Sequence, residues 1–161
     1  MVRKAGEGVS GTSITASGQT FSDQQTGAIQ FYDGTNSSIS LTNVNFTGNT
    51  SFYGGAVYSY AENFVQNGGA YHGNKAVDNE SGPNAEGKVE DGAFGGALML
   101  KGNYNVILTD VDFAKNSASA ANGMAYGGAI CADFSTGNNG EEAGSTDLTL
   151  NITQNMTYAG N

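Results

Sequence analysis

Apolar residues recur along this chain in a spaced foursome. One set is Ile39, Leu41, Val44 and Phe46; a later one is Val106, Leu108, Val111 and Phe113. The intervals are two, three and two residues. A step of two is the side-chain period of a strand with one face buried. The step of three changes phase, so a bend is expected at Thr42-Asn43 and at Thr109-Asp110. Two further sets keep the spacing with poorer occupants: Ile14, Ala16, Gln19, Phe21 and Phe64, Gln66, Gly69, Tyr71. No long segment keeps helical spacing. The alanine-rich stretch from Ala114 to Ala125 is interrupted by serines and Gly123 and reads as a loop excursion, with room for a short helical turn.

Two short motifs alternate through this pattern. Gly-Gly-Ala followed by an apolar residue stands at 54–57, 95–98 and 127–130, with a degenerate copy at Thr26-Gly27-Ala28-Ile29. An aromatic residue followed three places later by Asn gives Phe46/Asn49, Tyr71/Asn74 and Phe113/Asn116. Weaker copies are Phe21/Gln24 and Ile152/Asn155. The markers at 21, 46, 71, 113 and 152 lie 25, 25, 42 and 39 residues apart. That spacing fits a coil of about 25 residues with insertions in its later copies.

After each Gly-Gly-Ala, Ile29 and Phe31, Val57 and Ser59, Leu98 and Leu100, and Ile130 and Ala132 are expected to face inward. Gln30, Tyr58, Met99 and Cys131 are expected to face out. Each coil thus offers two or three short strands, and none can bury its apolar face without the coils above and below. The expected fold is all-β: a right-handed parallel β-helix of about five rungs, one domain over residues 1–161. Residues 1–10 read as an N-terminal tail. Polar, acidic insertions are expected at about 76–93 and about 133–146.

Composition narrows the function. The net charge is −9, and Arg3 is the only arginine. A phosphate-tracking surface needs clustered Lys and Arg, so nucleic acid is not an expected partner. No apolar run approaches the length of a membrane-spanning helix, so no direct membrane insertion is expected. The single cysteine, Cys131, excludes an internal disulfide.

The alternating Gly-Gly-Ala-(Ile/Leu/Val) and Phe-x-x-Asn motifs resemble those of the polymorphic membrane proteins, autotransporter adhesins of the outer membrane. The resemblance runs over about residues 10–161. It implies a β-helical passenger domain, secreted or held at the cell surface, acting in cell adhesion or self-association. The motifs match only the passenger part of the family pattern, so the chain is expected to be a passenger fragment or a small relative.

Candidate sites follow from the same register. Asn49, Asn74, Asn116 and Asn155 would lie over one another at one bend as a hydrogen-bonded structural ladder. Phe52, Tyr53, Tyr58 and Tyr60 cluster around one Gly-Gly-Ala strand, either as an exposed aromatic patch suited to a protein or glycan on a host or neighbouring cell or packed under the neighbouring loop. Open β-helix ends would permit self-association. No catalytic residue and no metal site is assigned. Asp110 and Asp112 are the carboxylates that a carbohydrate-active β-helix enzyme, the rival reading, would use; a self-assembling structural unit is the other rival. No cofactor is expected, although Asp78, Glu80, Glu90, Asp91, Glu141 and Glu142 offer oxygen ligands suited to calcium. His72, the only histidine, is expected to point outward, and Cys131 to be a half-buried structural residue.

Overall fold

A computed structural model describes residues 2–4, 11–32, 36–79, 92–101, 105–121, 123–133, 149–153 and 157–160. The described residues form strands and turns, with no helix. In chain order the strands are β1 (Val2–Lys4), β2 (Ser13–Ser17), β3 (Thr20–Ser22), β4 (Ile29–Phe31), β5 (Ser38–Thr47) and β6 (Thr50–Ser51). Next come β7 (Val57–Ser59), β8 (Asn63–His72), β9 (Lys75–Asp78), β10 (Gly92–Phe94), β11 (Leu98–Lys101) and β12 (Asn105–Thr109). The last are β13 (Asp112–Ala114), β14 (Ser117–Ala120), β15 (Met124–Tyr126), β16 (Ile130–Asp133), β17 (Thr149–Thr153) and β18 (Thr157–Ala159).

Every pairing between these strands is parallel. One sheet runs β1-β4-β7-β11-β16, and these strands follow the Gly-Gly-Ala copies or, for β1, pair beside one. A second holds the strands that carry the apolar foursomes, from β2 and β3 through β5, β8, β12 and β13 to β17 and β18. A third runs β14-β9-β6, and β10 pairs with β15 in a fourth. The chain visits these sheets in one cyclic order, foursome strand, third sheet, fourth sheet where present, Gly-Gly-Ala strand.

The register is that of the repeat. Ile39 pairs with Phe64 and Leu41 with Gln66, while Phe64 pairs with Val106 and Gln66 with Leu108. Phe21, Phe46, Tyr71 and Phe113 are successive partners, and their rings stack at 5.5, 4.7 and 4.9 Å between centroids. The 4.7 and 4.9 Å spacings match the distance between hydrogen-bonded strands, so each paired strand carries its ring onto the next. With Ile29, Phe31, Val57, Leu98 and Leu100 they fill the apolar interior. Asn43 and Asp110, where the change of phase predicts a bend, have φ of 50° and 52°.

Gln66 occupies an interior slot held by leucine in the neighbouring strands, and it is fully buried. Its amide donates to the carbonyls of Val44 (3.3 Å) and Gly68 (3.2 Å) and accepts from the Tyr71 hydroxyl at 2.6 Å. The Tyr71 hydroxyl thus answers the Gln66 amide beside it. Burial holds the Tyr71 phenol well above the ordinary phenol range.

Several sequence expectations are corrected. Val2–Lys4 is a strand paired with Ile29–Phe31 rather than part of a tail. Lys75–Asp78 belongs to the third sheet, so the first insertion is shorter than 76–93, and residues 80–91 lie outside the described part. The alanine-rich stretch contains two strands, β14 and β15, because small residues suffice where Ala76 and Ala118 pair side by side. The second insertion lies outside the described residues apart from Asp133, which ends β16. Ala132, in register with buried Leu100, is exposed, because β16 is the last strand of its sheet. The fifth aromatic marker is Tyr158 rather than Ile152. Tyr158 pairs with Phe113, whereas Ile152 pairs with Leu108, one foursome slot earlier.

Candidate functional site

The paired glycines place the site. Gly54, Gly95 and Gly127 have φ of 57°, 66° and 65°, a left-handed conformation that turns the chain into β7, β11 and β16 of the first sheet. Their partners need close approach instead: a Cβ on Gly55 would lie 2.1 Å from the Gly96 carbonyl oxygen, and one on Gly96 2.0 Å from that of Gly128. An aromatic residue precedes each pair, Tyr53, Phe94 and Tyr126. The shared turn brings these three into a second ring stack on the outside, at 5.7 and 5.6 Å.

Beside this stack runs the outward file of the first sheet, in which Gln30, Tyr58, Met99 and Cys131 are successive strand partners. Tyr58 bridges the two. Its ring lies 6.0 Å from Tyr53, 5.0 Å from Tyr32 and 6.5 Å from Tyr60, while Phe52 lies 6.2 Å from Tyr53. Seven aromatic rings are therefore in contact as one network. Tyr32, Phe52 and Tyr126 are 43%, 43% and 49% exposed, so the network reaches solvent on both flanks.

Between the ring stack and the file lies an open cleft of about 310 Å³, lined by Tyr53, Tyr58, Phe94, Met99, Lys101 and Asp133. Lys101 and Asp133 are cross-strand partners at the ends of β11 and β16, so the cleft has an aromatic wall and a charged end. The Tyr58 phenol is raised far above its usual value, chiefly by burial and then by Tyr60, Tyr32, Tyr53 and the Asp133 carboxylate. It stays protonated, able both to donate and to accept a hydrogen bond. Gln30, next to Tyr58 in the outward file, donates to Ser51 Oγ at 3.2 Å and accepts from the Tyr32 hydroxyl at 3.0 Å.

Of the four residues expected as an exposed patch, Phe52 is exposed, Tyr53 and Tyr60 are half-buried, and Tyr58 is buried. Tyr58 does point outward from its strand, but Tyr32, Tyr53 and Tyr60 pack around it. Phe94, Tyr126, Tyr32, Met99, Lys101 and Asp133 were not anticipated. The signal for two of them was present in the sequence: the motif extends one residue forward, to aromatic-Gly-Gly-Ala.

The asparagines of the other motif form a buried ladder at the opposite turn. The Asn49 side-chain amide donates to Asn74 Oδ1 at 2.9 Å, and that of Asn74 to Asn116 Oδ1 at 3.0 Å. Each also donates to a backbone carbonyl, of Phe21, Phe46 and Tyr71 respectively. Asn155 lies outside the described residues, and the register of Tyr158 gives Asn161 the matching place in sequence.

Asp110 sits at the bend position that Asn43 fills in an earlier copy, and Asp112 is exposed on the outer face in register with Ala70. His72 is exposed. Cys131 is half-buried, and burial together with the nearby Asp133 carboxylate raises its thiol pKa, keeping it protonated and a poor nucleophile. Of the acidic residues offered as calcium ligands, Glu80, Glu90, Asp91, Glu141 and Glu142 lie outside the described residues. Asp78 is buried at the end of β9 rather than exposed on a loop.

Fold and site define an all-β protein of parallel sheets that carries an aromatic cleft beside its glycine turns. Comparison with protein-family models, with curated proteins and with solved structures finds no match for this chain.

Proposed function

We propose that this chain is a right-handed parallel β-helix of about five rungs and serves as a non-enzymatic scaffold. In this reading it is an adhesin-type passenger segment at the cell surface or secreted, whose aromatic network engages a partner surface. The cyclic order of the sheets and the register of the repeat support the β-helix. The observation that carries the function is the contiguous network of seven rings, with Tyr32, Phe52 and Tyr126 each more than 40% exposed. Aromatic side chains give large contact area at low cost in conformational entropy, which makes them frequent anchors of recognition surfaces.

The test is adhesion of beads coated with the chain to cell monolayers. Wild-type beads are expected to bind, and the double variant Phe52→Ser/Tyr126→Ser, with an unchanged far-ultraviolet spectrum, to lose most of that binding. Equal binding by both, or none by wild type, contradicts the proposal. Sedimentation at several concentrations separates the self-association form of the reading: a size that grows with concentration for wild type alone identifies the partner as a second copy.

A further inference from the structure

We infer that the cleft lined by Tyr53, Tyr58, Phe94, Met99, Lys101 and Asp133 binds a neutral sugar residue of a cell-surface glycan. The inference rests on the adhesive reading above and names the chemistry of its ligand. A pyranose presents an apolar C–H face and a rim of hydroxyls, each able to donate and accept. The cleft offers the complement within one concavity. Phe94 and Tyr53, stacked at 5.7 Å, and the Met99 thioether supply the apolar wall. At the other end Asp133 accepts, Lys101 donates, and the Tyr58 hydroxyl does both. Lys101 and Asp133 are partners on adjacent strands and both line the cleft, so an ammonium and a carboxylate border it side by side.

Rival ligand classes fit less well. A wholly apolar ligand would strip water from Lys101 and Asp133 without replacing its hydrogen bonds. An acidic sugar would meet a carboxylate inside the cleft and a net charge of −9 around it, against one ammonium. The volume, about 310 Å³, lies at the small end of ligand cavities, which suits a terminal sugar residue better than a buried chain. Tyr126, stacked on Phe94 and 49% exposed, extends the wall to the adjoining residue of a glycan.

The test is binding of the chain to immobilised glycans ending in neutral hexoses, compared with otherwise matched glycans ending in sialic or uronic acid. Wild type is expected to bind the neutral set. Asp133→Asn, which keeps shape and removes the charged acceptor, is expected to weaken that binding about tenfold. Lys101→Met is expected to weaken it to a lesser extent. No binding to neutral glycans, preference for the acidic set, or full affinity in Asp133→Asn each overturns the inference. Bead adhesion to cells stripped of neutral glycans by glycosidases separates the two levels. Adhesion that survives stripping overturns the sugar inference, leaves the adhesive reading standing and points to a protein partner. Failure to adhere to untreated cells removes the adhesive reading itself.

Discussion

At the scale of single residues, the interior is specified by matched polar pairs as much as by apolar volume. Gln66 and Tyr71 make the clearest case, each standing where neighbouring strands carry leucine and phenylalanine. Tyr71→Phe leaves the Gln66 Oε1 without its 2.6 Å donor in a buried site and is expected to cost roughly 1–3 kcal/mol by chemical denaturation. Gln66→Leu orphans the Tyr71 hydroxyl at similar cost. The double variant restores the Leu/Phe pattern of adjacent strands and is expected to cost much less than the sum. Strict additivity would show that the two side chains do not act as a pair. The asparagine ladder makes a second case. Asn74→Leu removes a donor to the Phe46 carbonyl and an acceptor for Asn49, for a loss of roughly 1–3 kcal/mol per orphaned partner.

At the scale of the strand and its turns, conformation and contact make separate demands, and glycine substitutions distinguish them. Gly73 has φ of 64° with nothing within 4 Å of an added Cβ, and Lys115 adopts φ of 57° at the matching place. Gly73→Ala is expected to lose only about 1 kcal/mol. In Gly96→Ala the new Cβ would fall on the Gly128 carbonyl and the Ser117 backbone, so a loss of about 3 kcal/mol or more is expected. Similar thermal midpoints for the two variants would refute this division. The foursomes and the bends between them could be read from the sequence because apolar alternation reports directly on an interior. The third sheet could not, because Lys75–Asp78 and Ser117–Ala120 carry alanine where bulk would announce burial. The last repeat was misread for a related reason. Ile152 is the right type for the aromatic slot, but Thr153 pairs with Thr109 and Thr157 with Asp112, so three residues span a gap that two span one repeat earlier. The signal was nevertheless in the sequence, because Tyr158 and Asn161 keep the full aromatic-x-x-Asn spacing that Ile152 and Asn155 keep only in part.

At the scale of the whole molecule, the two ring stacks divide the labour. The inner one holds strands in register, and the outer one, beside the glycine turns, shapes a cleft. Both stacks recur in the sequence, the inner one as aromatic-x-x-Asn and the outer one as aromatic-Gly-Gly-Ala, but only the inner aromatics belong to an apolar foursome that announces their burial. Lys101 and Asp133 stand at the same offset after their Gly-Gly-Ala copies, so their pairing follows from the repeat, whereas their place beside the aromatic cleft does not. The buried phenols also set an alkaline limit on stability. Tyr71 and Tyr58 both have phenols raised above the ordinary value of 10.0, so near that pH the unfolded chain loses protons that the folded chain keeps. Stability is therefore expected to be unaffected by these groups below about pH 10 and to fall as pH rises beyond it. In the Gln66→Leu/Tyr71→Phe background the fall should be shallower; an identical slope would remove Tyr71 from the account.

The central claim is that successive repeats place their marker residues directly over one another. Nuclear Overhauser contacts between aromatic rings, in a sample labelled at Phe and Tyr, test it most directly. The account predicts cross-peaks from Tyr71 to both Phe46 and Phe113, whose ring centres lie 4.7 and 4.9 Å away, and a further one between Phe21 and Phe46. A Tyr71 ring that meets neither Phe46 nor Phe113 would contradict it.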